Sequence, residues 1–217
     1  KRTLVPLSDI PPQVVQAFLS AEDDDFYSHN GIDMRGIVRA TLANAVSGSK
    51  SQGASTLTQQ LVKNAILSPE KTYTRKFKEI LLSLKIEQRY SKDEILQLYF
   101  NEIPFGSTNY GIESAAQSYF GKPASELTLA QGATLAAMVK APTRYLNNPD
   151  QLQFRRDRIL DAMVEDGFIT QGDADGAKQE STAVLRVDGE IVAPHLIFYV
   201  KQLLEEEHGQ RLVEEGG

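Results

Sequence analysis

The sequence predicts a mainly α-helical fold with little β structure. Apolar residues recur at intervals of three and four through most of the 217 positions, and the alternation typical of a half-buried strand is nearly absent. Several of these stretches begin at helix-capping residues and end at a glycine. Because 41% of the residues are hydrophobic, the chain can bury a core as one large domain or as one domain with a small lobe.

Three helices are predicted in the first 65 residues. An apolar stripe after Pro11-Pro12 predicts a first helix that ends near Glu22. The residues of this stripe are Val14, Val15, Phe18 and Leu19. A second helix is predicted from a cap at Asp33 to Gly48. The loop SGSKSQG separates it from a third helix, which we expect to begin near Ser55.

A long fourth helix is predicted to begin at Ser68-Pro69-Glu70, whose residue types suit a cap and a first turn. Its apolar face comprises Tyr73, Phe77, Leu81 and Leu84. Two capping boxes predict later helix starts, Ser91 with Glu94 and Thr128 with Gln131.

The last predicted elements lie after residue 111. Gly121 is expected to end the helix in GIESAAQSYFGK, and a charged amphipathic helix is predicted from Asp150 to Glu165. The segment TAVLRVDGEIV, with Asp188-Gly189 at its centre, predicts a hairpin.

Charge is distributed very unevenly along the chain. The net charge of −6 argues against a nucleic-acid-binding protein. Residues 35–92, however, contain eleven Lys and Arg but only three acidic residues, a local net of +8 that leaves −14 for the rest. This basic segment indicates a site for an anionic ligand, and the alternative is a solvated basic face. There is no cysteine, which excludes disulfides and cysteine-based metal sites.

The start of the chain, Lys1-Arg2-Thr3, resembles neither a signal peptide nor a membrane anchor. The most apolar stretch, LTLAQGATLAAMVKA, is too short and too interrupted to span a bilayer. We therefore expect a soluble fragment of a longer protein.

The stretch GASTLTQQLVKN, residues 53–64, is rich in hydrogen-bonding side chains and contains no acidic residue. On a helix, its polar face is expected to comprise Thr56, Gln59, Gln60 and Lys63. The opposite, apolar face is expected to comprise Leu57, Leu61 and Ala65. Such a polar face at a helix N-terminus suits a ligand with many hydroxyls and a negative group, such as a sugar phosphate. The alternative is a polar surface helix.

Cations also cluster on the predicted fourth helix, where Lys71, Arg75 and Lys78 surround the carboxylate of Glu79. Three cations beside one acid repel each other unless an anion joins them, so the cluster is a candidate anion site. The alternative is a surface ion pair between Arg75 and Glu79, worth roughly 0.3–0.5 kcal/mol.

Glu22, in AEDDDFYSHNG, continues the apolar stripe of the first helix. A carboxylate there is expected to be partly desolvated, which would raise its pKa and make it a candidate general base. The alternative, that the helix frays before Glu22 and the acids are solvated, stays open. His29 is more often a structural hydrogen-bonding residue than a catalyst, and no metal-binding motif is present.

Five ordered motifs in nearly the whole chain resemble those of the family 51 peptidoglycan glycosyltransferases, the glycosyltransferase domains of class A penicillin-binding proteins. The motifs are EDDDFYSHNG, GASTLTQQLVKN, RKFKE, EILQLYFNEIPFG and GATLAAMVKAPTRY. Three departures concern local geometry: Phe100 stands in place of Leu, Pro104 stands where an aromatic residue is common, and Leu-Asn-Asn separates Tyr145 from Pro149.

The resemblance implies a lysozyme-like large lobe and a smaller membrane-facing lobe within about residues 64–85. Four residues there are expected to face lipid or, equally, to pack in the core: Ile66, Leu67, Tyr73 and Phe77. Residues 1–180 would form the glycosyltransferase domain, and residues 181–217 would begin a linker to a missing transpeptidase domain.

The resemblance also implies polymerisation of lipid II with inversion and release of undecaprenyl diphosphate. Glu22 would be the base that acts on the acceptor 4-hydroxyl, and Glu79 would be the second catalytic carboxylate. Substrate-binding roles would fall to Asp23, Phe26, His29, Gly53, Ser55, Thr56, Gln59, Gln60, Lys63, Asn64, Lys71, Arg75, Lys76 and Asn101. Of these, Lys63, Lys71 and Arg75 would hold the donor diphosphate.

The partners implied by the resemblance are lipid II, the growing glycan chain, the membrane surface through the small lobe and a missing N-terminal anchor, and moenomycin-type inhibitors, with no nucleic acid. The enzyme would act at the outer face of the bacterial cytoplasmic membrane. Some family members respond to Mg²⁺ or Mn²⁺, although no dedicated ligand set is visible in the sequence.

Two other functions remain as alternatives. A lysozyme-like hydrolase that cuts the same glycan needs a protonated acid and no diphosphate site, so the basic segment counts against it. A non-catalytic glycan-binding module has no need of a desolvated carboxylate such as Glu22.

Overall fold

The computed structural model describes residues 4–39, 55–67, 72–106, 109–182 and 184, and these residues are mainly helical, as predicted. The nine helices for which bounds are defined are α1 Pro12–Glu22, α2 Leu57–Ala65, α3 Tyr73–Arg89, α4 Lys92–Glu102, α5 Ile112–Phe120, α6 Leu129–Val139, α7 Pro142–Leu146, α8 Pro149–Glu165 and α9 Gln171–Gln179. Residues 34–39 are helical as well. Short 3₁₀ turns occupy Leu7–Asp9 and Ala124–Glu126. The described ranges contain no strand, only an isolated antiparallel bridge between Pro104 and Tyr110.

Helix α6 lies at the centre of the core and packs against α1 and α8. Its residues from Gly132 to Met138 are all buried, and most are small, which lets neighbouring helices approach closely. At Gly132, a Cβ atom would lie 2.8 Å from Val14 Cγ2 and 3.1 Å from Val14 Cα, so the crossing of α1 and α6 requires glycine. This crossing fixes the position of α1 and therefore of Glu22 at its last turn.

An aromatic cluster supports α1 from the side of α4. Phe18 packs edge-to-face against Phe100 and Phe105, with ring centroids 4.9 and 6.1 Å apart. Tyr99 lies 6.4 Å from Phe18 in the same orientation. Such pairs add about 0.5–1.5 kcal/mol each to the free energy of burial, so this cluster stiffens the helix that carries Glu22.

The predicted helix boundaries are confirmed where a local signal sets them. The capping boxes of Ser91 with Glu94 and of Thr128 with Gln131 both form, and Gly121 ends α5 in the left-handed conformation at φ 68°. The first helix ends at Glu22, as predicted.

Other boundaries differ from the prediction or fall outside the described residues. Helix α2 begins at Leu57, because Thr56 is its cap, and Thr72 caps α3. The predicted start at residues 68–70, the second helix beyond residue 39, the loop 47–53 and the hairpin around 188–189 lie outside the described residues. The division into residues 1–180 and a following linker stays a prediction. Helices α7 and α9 were not predicted.

Candidate active site

Glu22 lies at the end of α1 with both carboxylate oxygens engaged. Oε2 accepts a hydrogen bond of 2.9 Å from Gln60 Nε2, and Oε1 accepts one of 3.1 Å from Arg155 Nη2. The Glu22 side chain is 13% exposed, so the interpretation of a frayed helix with a solvated acid is wrong. The carboxylate is fixed between two helices and still has acceptor capacity for a ligand hydroxyl.

Burial raises the pKa of Glu22 above its ordinary value of 4.5. The hydrogen bond from Gln60 and the positive charges of Arg155 and Lys140 oppose this effect of burial only in part. A carboxylate with a raised pKa is a stronger base than a solvated one, which is the property that proton abstraction from a sugar hydroxyl requires.

Asp23 and His29 join the loop after α1 to the start of α2. Asp23 Oδ1 lies 2.8 Å from His29 Nε2, and Asp23 Oδ2 accepts a hydrogen bond of 2.9 Å from the backbone N–H of Leu57. The backbone N–H of Gly31 donates to His29 Nδ1 at 3.1 Å, so Nε2 is the ring nitrogen that donates to Asp23. Both predicted site residues are therefore committed to holding the loop.

Thr56 and Gln59 form a capping box at the start of α2, which changes the predicted polar face. The Thr56 hydroxyl donates to the Gly31 carbonyl at 2.8 Å and accepts from Gln59 N, while Gln59 Oε1 accepts from Thr56 N. Thr56 and Gln59 are buried, and Ala65, assigned to the apolar face, is exposed. The expected grouping of Thr56, Gln59, Gln60 and Lys63 on one open face is therefore wrong, because capping places the first two inside the fold.

A second charged group links α3 to the residue before α2. Lys76 Nζ forms an ion pair with Glu79 and donates a hydrogen bond of 3.0 Å to Ser55 Oγ. Glu79 is 2% exposed, whereas the Lys76 side chain is 43% exposed and has access to solvent. The expected surface pair between Arg75 and Glu79 is wrong, since Lys76 takes that place one residue later.

The other residues predicted to bind an anion differ in their exposure to solvent. Arg75 is half-buried, and its Nε has no hydrogen-bond partner among the described residues. Lys63, Asn64 and Lys78 are exposed. Gly53 and Lys71 lie outside the described residues, so their predicted contacts stay predictions. Ser55 and Gln60, at the start of α2, contact the Lys76–Glu79 pair and Glu22 respectively, so one helix start joins both charged groups.

Two predicted substrate contacts are better explained by the fold. Phe26 is fully buried, with Lys92 Nζ 4.3 Å from its ring centroid. The Asn101 side chain accepts from Val5 N and donates to the carbonyls of Val5 and Gln97, at 2.7–2.9 Å. Both side chains therefore support the fold, and their predicted contacts with substrate stay predictions.

Arg155, on α8, is the main residue that the sequence reasoning missed. Its Nε donates to the carbonyl of Ala137 at 3.2 Å while Nη2 reaches Glu22. A signal was present: Arg155 lies three residues after Leu152 and four before Ile159, which are both buried. An arginine in a buried helical stripe needs a partner, and that partner is Glu22.

The Tyr99 hydroxyl is buried beside the same carboxylates and has no hydrogen-bond partner within the described ranges. Burial and the negative charges of Glu22 and Asp23 raise the Tyr99 pKa well above 10. The phenol therefore stays protonated and adds no charge to the surroundings of Glu22.

Two structural features are absent from the described part of the chain, a cluster of metal-ligating side chains and a helix that could span a membrane. Residues 4–39, 55–67, 72–106 and 109–182 contain no group of three or more His, Asp or Glu side chains placed to hold a metal ion. Among the described helices, none has the length and apolar character that crossing a bilayer requires.

Comparison with known proteins matches the sequence of the chain to one family. The family model described as transglycosylase matches residues 1–164. The chain is similar to penicillin-binding protein 1A of Escherichia coli, with 43% identity over 220 residues that cover all of this chain and 26% of that protein. The corresponding protein of Neisseria meningitidis is 44% identical, over all of this chain and 28% of its own length. The chain thus spans about a quarter of the length of these relatives.

Among solved structures, the crystal structure of penicillin-binding protein 1A from Haemophilus influenzae has a similar fold. The TM-score is 0.56 with 23% identity, and the match covers 98% of this chain and 22% of that one. At this identity, the likeness concerns the fold alone, and it agrees with the mainly helical architecture.

Proposed function

Because the chain belongs to the transglycosylase family, we propose that it is a peptidoglycan glycosyltransferase that polymerises lipid II into β-1,4 glycan strands for the bacterial cell wall. The observation that carries this proposal is the desolvated carboxylate of Glu22, which Gln60 and Arg155 hold by hydrogen bonds. The next residue, Asp23, anchors the loop that follows to the start of α2. A transferase acting on a hydroxyl nucleophile needs such a base, whereas a glycan-binding module does not.

In the proposed reaction, Glu22 removes the proton from the 4-hydroxyl of the acceptor sugar. The oxygen attacks the anomeric carbon of the donor from the face opposite the diphosphate, and the carbon–oxygen bond to the diphosphate breaks. The bonding electrons leave with undecaprenyl diphosphate, and the α-linked donor becomes a β-1,4 linkage. Because diphosphate is a good leaving group, the site needs cations near it more than a proton donor.

The cations for the diphosphate would come from α2 and α3. Lys76 is the best supported, because its ammonium lies between Ser55 and the buried Glu79 and is open to solvent. Arg75 and Lys63 are further candidates, and Lys71 stays one by resemblance alone. Glu79 would orient these cations and balance their charge before the substrate arrives.

Exposed apolar side chains support the proposal of a membrane-facing lobe. Tyr73 is 97% exposed and Phe77 is 62% exposed, and Ile66 and Leu81 are also exposed. For Tyr73, Phe77 and Ile66, this exposure excludes the core interpretation that the sequence left open. An apolar surface beside a diphosphate site suits a polyprenyl substrate that stays in its bilayer, at the outer face of the cytoplasmic membrane.

A groove near the start of the chain is a further candidate site for the prenyl chain. It has a volume of about 700 Å³ and is lined by Met34, Arg35, Val38 and Arg39. Its apolar side chains, Met34 and Val38, suit a prenyl chain, whereas the guanidinium of Arg39 is already paired with Asp24. Membrane attachment through a segment outside this chain, and inhibition by moenomycin-type compounds, belong to the same proposal.

The test is glycan formation from labelled lipid II in detergent micelles, with wild type and Glu22→Gln compared. We expect polymer from the wild type and none from the variant, while thermal unfolding shows both to be folded. Incubation with finished glycan in parallel separates the alternatives. Shortening of that glycan would identify a hydrolase, and polymer formation by Glu22→Gln would refute the assignment of the base.

A further inference from the structure

We propose that Arg155 is a positioning residue for Glu22, which keeps this carboxylate ionised and in one fixed orientation so that it accepts the proton from the acceptor hydroxyl. The inference rests on the proposed function, since it concerns the same base. It adds a role for a residue on α8, 133 positions away from Glu22, in none of the motifs that carry the family resemblance.

The geometry around Glu22 supports a positioning role. Gln60 holds Oε2 at 2.9 Å from one side and Arg155 holds Oε1 at 3.1 Å from the other. Two donors on different oxygens restrict rotation of the carboxylate about its terminal torsion, which is otherwise broad. A base must lie within hydrogen-bond reach of the proton that it removes, so this restriction favours the productive orientation.

Arg155 is itself anchored, which distinguishes this pair from a surface ion pair. Its Nε donates to the carbonyl of Ala137, near the end of α6, at 3.2 Å. The side chains of Arg155 and Glu22 are 22% and 13% exposed. Helix α8 packs against both α1 and α6, so the same helix contacts fix Glu22, Arg155 and the carbonyl of Ala137.

The other charged groups around Glu22 do not replace Arg155. Lys140, just after α6, acts on Glu22 as a positive charge, and Tyr99 on α4 is a neutral phenol. Asp23, the next residue, uses its two oxygens for His29 and for the start of α2. Arg155 is therefore the cation with a described hydrogen bond to Glu22.

Loss of the Arg155 charge changes the protonation of Glu22 in a known direction. Burial raises the Glu22 pKa, and Arg155 opposes this increase. Without Arg155, the pKa rises further, and the base is protonated over more of the acid range. Activity that requires ionised Glu22 then falls on the acid side and recovers as the pH increases.

The experiment compares the pH dependence of lipid II polymerisation in wild type, Arg155→Gln and Arg155→Lys. For Arg155→Gln, we expect the acid limb of kcat to move to higher pH, with a loss of about tenfold or more on the acid side that shrinks toward alkaline pH. KM for lipid II stays unchanged, because Arg155 orients the base and does not hold the substrate.

Arg155→Lys separates charge from orientation. Lysine keeps the positive charge but lacks the planar fork that contacts Glu22 and Ala137 together. The acid limb should therefore stay near its wild-type position while kcat falls. The matched control is Arg158→Gln, which removes the same charge from an exposed position on α8 and should leave the pH profile unchanged.

A second measurement does not depend on catalysis. The free energy of unfolding is measured against pH for wild type, Arg155→Gln, Glu22→Gln and the double variant. The loss caused by Arg155→Gln should increase as Glu22 ionises, and this increase should vanish in the Glu22→Gln background.

The two measurements distinguish failure of this inference from failure of the proposed function. If the wild type forms no polymer while the unfolding cycle shows the coupling, the proposed function fails and the contact between the residues stands. If the wild type forms polymer and Arg155→Gln has the wild-type acid limb, the inference is overturned.

Discussion

The carboxylate of Asp23 accepts a hydrogen bond of 2.9 Å from the backbone N–H of Leu57, 34 positions later in the chain. This contact places a negative charge at the N-terminus of α2, where the helix dipole favours it. It also joins the end of α1 to the start of α2. Glu22 and Gln60 are brought together by the same connection, because each lies one to three residues from it.

Asp23→Ala should lower the free energy of unfolding by about 2–4 kcal/mol. The substitution leaves the Leu57 N–H and the His29 Nε2–H without their acceptor in a buried place. Urea unfolding measures the loss. The matched control is Asp24→Ala, which breaks an exposed pair with Arg39 and should cost less than about 1 kcal/mol. Equal losses in the two variants would contradict the connecting role of Asp23.

Lys76→Met should lower the free energy of unfolding by about 1–3 kcal/mol, because it leaves the Glu79 carboxylate buried without its cation. The partly exposed Lys76 side chain keeps this loss below that of a fully buried pair. Chemical unfolding of Lys78→Met, which removes an exposed lysine of α3, provides the control, with an expected change within about 0.5 kcal/mol. A Lys76→Met protein as stable as the control would mean that Glu79 has another partner.

The parts of the fold that were predicted correctly depend on signals within a few residues. The capping boxes at Ser91 and Thr128 and the end of α5 at Gly121 are local, and their side-chain chemistry decides the backbone conformation. The end of α1 at Glu22 follows in the same way from a continuous apolar stripe.

The parts that were missed depend on tertiary contacts. A helical-wheel argument placed Thr56 and Gln59 on an open face, but the capping box and the Gly31 carbonyl turn both side chains inward. The pair of Glu22 and Arg155 joins residues 133 positions apart and exists because α1 packs against α8. Helical periodicity gives no distance between elements, so it identified Glu22 but not its cation.

Tyr99→Phe should leave the free energy of unfolding unchanged or raise it by up to about 1–3 kcal/mol. The hydroxyl removed is buried and has no partner among the described residues. Thermal and urea unfolding test this result. Tyr119→Phe is the matched control, because its hydroxyl donates to the Phe105 carbonyl and its loss should be destabilising. Clear destabilisation by Tyr99→Phe would show that this hydroxyl has a bonding partner.

A double substitution of Tyr73→Ser with Phe77→Ser should weaken binding to anionic phospholipid vesicles by about tenfold or more, since two exposed aromatic side chains are removed from the proposed membrane surface. The free energy of unfolding should change by less than about 1 kcal/mol, because neither side chain is buried. Vesicle co-sedimentation gives the affinity. Phe154→Ser removes a side chain that is 67% exposed on α8, and it should bind vesicles as the wild type does.

The raised pKa of Glu22 predicts a pH-dependent cost of keeping this residue in the fold. Because burial raises the pKa above 4.5, the folded state binds a proton more tightly than the unfolded state does. The contribution of Glu22 to the free energy of unfolding should therefore decrease as the pH rises from 4.5 through the higher pKa of this residue in the folded protein. Glu22→Gln cannot ionise, so its stability relative to wild type should increase over the same range while its activity is lost.

Urea unfolding at several pH values, from below 4.5 to neutral, measures this difference between wild type and Glu22→Gln. The exposed Glu94→Gln is the control for removal of a carboxylate on the surface, and burial does not raise the pKa of Glu94, which its hydrogen bonds to Ser91 lower. The sign of its pH dependence should therefore be opposite, with stability relative to wild type decreasing as the pH rises. If the stability of Glu22→Gln relative to wild type instead decreased as the pH rises, the attraction of Arg155 and Lys140 would outweigh burial. Glu22 would then be a weaker base than the proposed mechanism requires.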